Sequence, residues 1–203
     1  YCAATNGSTF DAFAKELQQY RWIPEFKFIS GYHLKPSYID AMANSISDYI
    51  GTKGMPDILL FSYHGIPQKY LDRGDPYYCF CVQTTRLIQQ KLKLEDDKVI
   101  TTFQSRFGKE QWLQPYTDKT LQSLPTQNIK NVAVVCPGFS SDCLETLEEI
   151  KIENKEYFID AGGENYDYIT CLNDNPDHIN MMYDLIEENL PNQYENITSH
   201  NIK

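Results

Sequence analysis

The sequence predicts an α/β protein with one open, mostly parallel sheet and helices on both faces, a doubly wound lobe. Three observations carry that expectation. Asp57-Ile58-Leu59-Leu60-Phe61-Ser62-Tyr63 and Asn131-Val132-Ala133-Val134-Val135-Cys136 are near-continuous apolar runs, which suit strands covered on both faces. Segments with helical spacing alternate with such runs along the chain. No repeat or low-complexity linker breaks the pattern, so residues 1–190 read as one lobe and 191–203 as a polar, frayed tail.

In chain order, Ser8 caps a helix running to about Tyr20, with Asp11 in its first turn. Phe26 to Ile29 reads as a short strand. Pro36 opens a helix to Ile50 in which Ile39, Met42, Ile46 and Ile50 recur at helical spacing, with Gly51 and Gly54 ending it. The strand ending at Tyr63 leads into a polar loop to about Pro76, then a helix to about Leu94. Val99 to Phe103 reads as a strand and Thr117 to Leu124 as a helix. The strand ending at Cys136 passes through Pro137-Gly138 into a helix from about Ser141 to Asn154. Phe158 to Ala161 and Tyr168 to Leu172 are short strands by the same reading, and Asp177 to Leu190 is a final helix.

The 203 residues carry a formal net charge of −10, from 28 acidic and 18 basic side chains. Neutralising a phosphate backbone needs clustered Lys and Arg, so nucleic acid is excluded as the main partner. No run approaches the length of a membrane-spanning helix. Tyr1-Cys2-Ala3-Ala4 has neither the basic start nor the apolar stretch of a signal peptide, and there is no initiator Met, so the chain reads as processed or excerpted. Cys136 and Cys171 sit among apolar neighbours and read as buried thiols, which suits a reducing cytoplasm.

In an open α/β sheet, ligands sit beyond the C-terminal ends of strands. The loops after Tyr63, Phe103 and Cys136 are therefore where chemistry is expected. His64 stands at the first of these strand ends, and Gly65 lets the backbone turn sharply beside it. His33, His178 and His200 lack such a setting and read as surface residues. Beyond Cys136, Glu145, Glu149 and Glu153 are spaced by four. Four residues of α-helix make about 400° of rotation, so the three form one carboxylate stripe. Like charges at that spacing repel, a cost that a metal ion or shared protons would offset. A solvated acidic face is the plain alternative. Read this far, the residues describe an α/β protein with a metal or acid–base site and no named substrate.

The same residues fall within a longer pattern. FSYHGIP at 61–67, RGDPYY at 73–78, FQSRFG at 103–108, WLQPYT at 112–117, CPGFSSDCLETLEEI at 136–150, AGG at 161–163 and CLN at 171–173 resemble the ferrochelatase family in order and spacing. The likeness extends to about residue 190 and is nearest the protoporphyrin-using type of Gram-negative bacteria. It begins partway through the family's pattern, so the chain reads as a second half, with the first of two similar α/β lobes absent from it.

The resemblance implies insertion of ferrous iron into protoporphyrin IX with release of two protons, iron being the substrate. It implies His64 and Glu145 as the catalytic pair and the residues that meet the metal. Which of them takes protons and which guides iron stays open. Glu149 and Glu153 would relay protons or metal along a helix with π-type distortion, and Trp112, Phe139 and Asp142 would lie against the porphyrin. An iron–sulfur cluster on a C-terminal cysteine extension is excluded because no cysteine follows Cys171. Cys79 and Cys81 would be the thiolates of any other cluster, and a [2Fe-2S] centre is not expected. The other readings are a non-catalytic porphyrin- or metal-binding fragment, a chelatase for coproporphyrin, and one placing cobalt or nickel in another tetrapyrrole. The expected compartment is the cytoplasm, with loose contact at the inner membrane.

Overall fold

A computed structural model describes residues 1–190. Its centre is a four-stranded, all-parallel sheet in the order β2-β1-β3-β4. The strands are β1 (Ile58–His64), β2 (Val99–Gln104), β3 (Asn131–Val135) and β4 (Asn165–Ile169). The helices are α1 (Ser8–Leu17), α2 (Pro36–Lys53), α3 (Gln68–Asp72), α4 (Tyr77–Leu92), α5 (Thr117–Ser123), α6 (Asn154–Asp160) and α7 (Pro176–Glu187). A nine-residue π-helix, Glu145–Glu153, runs directly into α6.

Side chains alternate across the sheet. Leu59, Phe61 and Tyr63 of β1 join Ala133 and Val135 of β3 in one apolar core, with Ile39, Met42 and Ile46 of α2, Ile88 of α4 and Met181 of α7. Ile58 and Leu60 join Val132 and Val134 in the other, with Leu121 of α5, Ile150 of the π-helix and Phe158 of α6. Both faces are thus covered, the condition that made the β1 and β3 sequences continuously apolar.

Several local expectations are corrected. Phe26 to Ile29 form no strand: the segment has no neighbouring strand and is exposed throughout, so its backbone lacks the ladder partners a strand needs. Phe158 to Ala161 finish α6 and its turn, because helical hydrogen bonding continues out of the π-helix and Phe158 is fully buried against the sheet. The last strand lies earlier than Tyr168 to Leu172, with Asn165 paired to Asn131 and Ile169 to Val135. The helix expected from Ser141 begins only at Leu144, and its regular 3.6-residue geometry gives way to π. Only Gly54 (φ +87°) ends α2, while Gly51 lies inside it. The loop after β1 holds the short α3. The tail expected over 191–203 lies outside the described residues, as does His200.

Candidate active site

β1 lies between β2 and β3, so the connections leave it in opposite directions. Such a switch point opens a crevice at the C-terminal strand ends. There β1 delivers His64, and β3 runs on through Cys136 into Pro137, Gly138 and Phe139. A cavity of about 430 Å³ occupies the place, lined among others by His64, Phe139, Tyr63, Tyr77, His33 and Cys2.

The seat of His64 is made by a tight backbone approach. Gly65 N–H donates to the Gln104 carbonyl at 2.8 Å, extending the β1–β2 pairing by one residue. A Cβ on Gly65 would stand 2.8 Å from that carbonyl oxygen and 3.2 Å from the Trp112 ring. The His64 carbonyl accepts from Tyr77 Oη at 2.9 Å. Nδ1 of His64 lies 2.6 Å from the Gly65 carbonyl oxygen. A carbonyl can only accept, so this contact requires a proton on Nδ1 and leaves the Nε2 lone pair of the neutral ring free. Trp112 and Phe139 flank the imidazole, with ring centroids at 6.5 and 6.4 Å. Trp112 is buried, and its Nε1–H has no partner.

The acidic row comes from the π-helix. The Glu145 carboxyl is held below its ordinary value, first by the Cys143 thiol, then by its own backbone N–H; these outweigh a small desolvation effect, and the charge of His64 adds to them. His64 and Glu145 thus come from two different strand ends, that of β1 and the segment after β3. Glu149 is gripped from β2: Ser105 donates its N–H at 2.7 Å and its hydroxyl at 2.5 Å, one to each carboxylate oxygen. Glu153 is exposed and accepts from Tyr157 Oη at 2.5 Å. Glu149 and Glu153 line a second hollow of about 170 Å³ with Ser105, Arg106, Asp118 and Asn154. Glu149 and Glu153 thus face an opening distinct from the cavity beside His64.

Asp142 is placed differently from the other expected site residues. Burial raises its carboxyl, but donation from Tyr168, Asn173 and Cys171 outweighs this and leaves it below the ordinary value. Tyr168 Oη at 2.6 Å and the Asn173 amide at 2.8 Å take one oxygen each, and Thr146 Oγ1 approaches at 3.2 Å. The carboxylate thus ties the start of the π-helix to the segment after β4. His33 and His178 are not the surface residues expected. Both His33 nitrogens are buried without a partner, and its ring stacks on Phe80 at 3.9 Å in the cavity wall. His178 is 4% exposed, with Nδ1 2.8 Å from the Asn173 carbonyl oxygen. Cys79 is exposed and Cys81 buried on α4, as residues two apart on a helix must be when only one side is covered. Among the described residues, no three of His, Cys, Asp and Glu converge on one point as a metal site.

Sequence reading passed over Gln104 and Ser105. Both lie in FQSRFG, but nothing in a lone glutamine or serine signals that one holds the Glu145 main-chain carbonyl and the other the Glu149 carboxylate.

The comparisons with known proteins agree with this architecture. The family model described as Ferrochelatase matches residues 1–190. The ferrochelatase of Pseudoalteromonas atlantica is 57% identical over 190 residues, covering 94% of this chain and 53% of that protein. Ferrochelatase 2 of Shewanella oneidensis is 56% identical over 187 residues, covering 92% of this chain and 57% of that protein. The chain thus spans about half the length of the curated relatives it matches. Among solved structures, SirB from Bacillus subtilis with Fe3+ superposes with a TM-score of 0.64 at 12% identity, covering 93% of this chain and 67% of that one, a likeness of fold. With the family model matched across the whole described lobe, this chain belongs to the ferrochelatase family.

Proposed function

We propose that this chain carries the catalytic wall of a ferrochelatase, inserting ferrous iron into protoporphyrin IX. The observation that supports it most is the seat of His64 at the switch-point crevice, with Nδ1 tied to the Gly65 carbonyl and the Nε2 lone pair left free, while the chain leaving β3 carries the acidic row Glu145, Glu149 and Glu153. Metallation of a porphyrin must remove two pyrrole protons as iron enters. It must also expose nitrogen lone pairs that a planar ring hides, and binding in a shaped crevice supplies that distortion.

His64 is the proton acceptor in this reading. Its Nδ1–H is tied to the Gly65 carbonyl, which aims the Nε2 lone pair elsewhere and fixes the ring. Glu145 stays ionised and half-exposed, suited to guide a divalent cation or take the second proton. Glu149 and Glu153 pass protons or iron along the π-helix to the second hollow. Iron held by His64 and Glu145 would complete its shell with water and then with porphyrin nitrogens, as befits a substrate in transit. Trp112 and Phe139 flank His64 and would lie against the macrocycle, with the exposed Phe107 ring tilted 55° to Trp112 at 5.1 Å between centroids. Asp142 would act beside the porphyrin by fixing the π-helix. The separated Cys79 and Cys81 argue against a [2Fe-2S] centre built on that pair.

Activity is expected to need the half of the protein that the relatives have in addition. An aromatic surface supports this: Phe10, Phe13, Phe26 and Phe28 cluster on α1 and the segment after it, and Trp22 is 90% exposed. Exposed apolar patches of this kind mark interaction sites. Its proposed occupant is the first lobe, whose sheet would also give Phe26 to Ile29 a strand partner. The free thiols suit the cytoplasm, and an apolar product suits loose contact with the inner membrane. The test is anaerobic ferrous chelation of protoporphyrin by this chain alone, and by a chimera carrying it in place of the matching half of the Pseudoalteromonas atlantica enzyme. Chelation by the chimera is expected. A folded, porphyrin-binding chimera without turnover would leave the chain a binding fragment. A preference for coproporphyrin in the same assay would reassign the substrate.

A further inference from the structure

We infer that Gln104 is a positioning residue that sets the separation of His64 and Glu145, a refinement that rests on the function proposed above. Five contacts of one buried residue carry the inference. Gln104 ends β2 directly opposite His64 in the parallel register, and its carbonyl accepts the Gly65 N–H at 2.8 Å. Its backbone therefore fixes the turn that seats the imidazole. Its side chain reaches the other way: Nε2 donates to the Glu145 main-chain carbonyl at 2.8 Å and approaches Glu149 Oε2 at 3.4 Å. Its Oε1 is held from behind by the Ser62 hydroxyl at 2.8 Å and the Cys136 thiol at 3.6 Å. Ser62 is in turn bonded to Thr117, and Thr117 to Thr102, all inside the core.

The physical case is one of satisfaction and orientation. Gln104 is 2% exposed, so its amide cannot trade protein partners for water. The Ser62 hydroxyl and Cys136 thiol both point at Oε1, which leaves the amide only one orientation with Nε2 toward the π-helix. At the first residue of that helix the donated hydrogen bond anchors the backbone that carries Glu145. The wide π turn is a poor self-supporting structure, and one external donor at its origin decides where the turn starts. No residue other than Gln104 ties the strand pair that seats His64 to the Glu145 backbone through a side-chain hydrogen bond among the described residues. The neighbouring Ser105 holds Glu149 one turn further on, so Gln104 is the anchor nearest Glu145 itself, and a displacement of Glu145 against His64 is resisted here.

Two variants test this. Gln104→Met keeps the volume and removes every polar contact of the side chain. Gln104→Glu keeps the acceptor for Ser62 and removes the donor to Glu145. In the chelating chimera, both are expected to lower kcat by about 10- to 100-fold while KM for porphyrin stays within about twofold, the pattern of a misplaced reacting pair. In the full chain alone, both are expected to speed amide hydrogen exchange across Glu145–Ile150, with α2 and α7 exchanging as before. Wild-type kcat, or unchanged protection of Glu145–Ile150 in either folded variant, would overturn the inference. If the unmutated chimera fails to chelate, the functional proposal falls on that result alone, and the exchange measurement still decides the role of Gln104.

Discussion

Ser105 gives both of its donors to one side chain 44 positions away: its N–H and its hydroxyl each meet a carboxylate oxygen of Glu149, at 2.7 and 2.5 Å. The backbone adopts φ +63° to do so, a conformation that non-glycine residues rarely hold. Such strain persists where the surroundings enforce it, often at functional sites. Ser105→Ala keeps the N–H donor and loses the hydroxyl. Ser105→Gly relieves the backbone and loses the hydroxyl as well. If the hydroxyl is what orders Glu149, both variants should lower the chelation rate of the chimera by similar factors. If the backbone geometry matters more, Ser105→Gly should be faster than Ser105→Ala. Stability should divide them, with the glycine variant melting higher than the alanine one.

Replacement of His64 by alanine tests the proton-acceptor role. General-base catalysis contributes about 10²- to 10⁴-fold, so chelation by the His64→Ala chimera should fall by that order while porphyrin fluorescence quenching still reports binding. The half-exposed position of His64 makes a folding defect a minor concern. Near-normal turnover in the variant would move proton removal to Glu145.

The strand ends that frame the candidate site are legible in the sequence. The two continuous apolar runs marked β1 and β3, and their C-terminal ends marked His64 and the acidic helix, because burial on both faces leaves a clear compositional trace. The π geometry was not readable from residue spacing, since a stripe at intervals of four looks the same on an α-helix. Phe26 to Ile29 were misread for a related reason. Local propensity describes a strand, but a strand forms only where another backbone can pair with it. His33 and His178 looked exposed because burial of a polar ring is decided by the partners brought from elsewhere in the chain, Phe80 in one case and the Asn173 carbonyl in the other.

Gly65 should tolerate no side chain. The Cβ of Gly65→Ala would sit 2.8 Å from the Gln104 carbonyl oxygen, a backbone atom fixed in the sheet. Relief requires the β1–β2 ends to part or the turn to reopen. Forced insertion of this kind costs about 1–3 kcal/mol. The expected result is a lower urea midpoint with an unchanged m-value, together with a loss of chelation larger than the stability loss explains, because His64 moves with the turn.

The aromatic surface gives a prediction with two opposed readouts. Trp22 is 90% exposed, so Trp22→Ser should leave the stability of the isolated chain within about 0.5 kcal/mol. Supplied in trans with the first half of the Pseudoalteromonas atlantica enzyme, the same variant should associate more weakly than the unmodified chain, measured by sedimentation. Equal association would remove Trp22 from the proposed lobe contact.

Asp142 predicts a specific acid sensitivity. Its carboxyl is held below the ordinary value because Tyr168, Asn173 and Cys171 donate to the ionised form more than burial opposes it. A carboxylate with a depressed folded-state pKa contributes stability that is fully present above the unfolded value, about 3.9, and is lost as pH falls through the lowered folded value. Asp142→Asn removes that contribution at every pH. At neutral pH the variant should therefore be less stable by about 1 kcal/mol, the cost of weakening a partly buried charged hydrogen-bond cluster that solvent screens. As pH falls below about 4, the two proteins should converge, because the wild-type group takes up its proton and surrenders the same interactions. Other carboxylates titrate in both proteins and cancel in the difference. Thermal midpoints measured from pH 7 down to the acid limit of folding check this directly. A gap that stayed constant into acid would mean that Asp142 holds the π-helix by shape and neutral hydrogen bonding instead of by its charge.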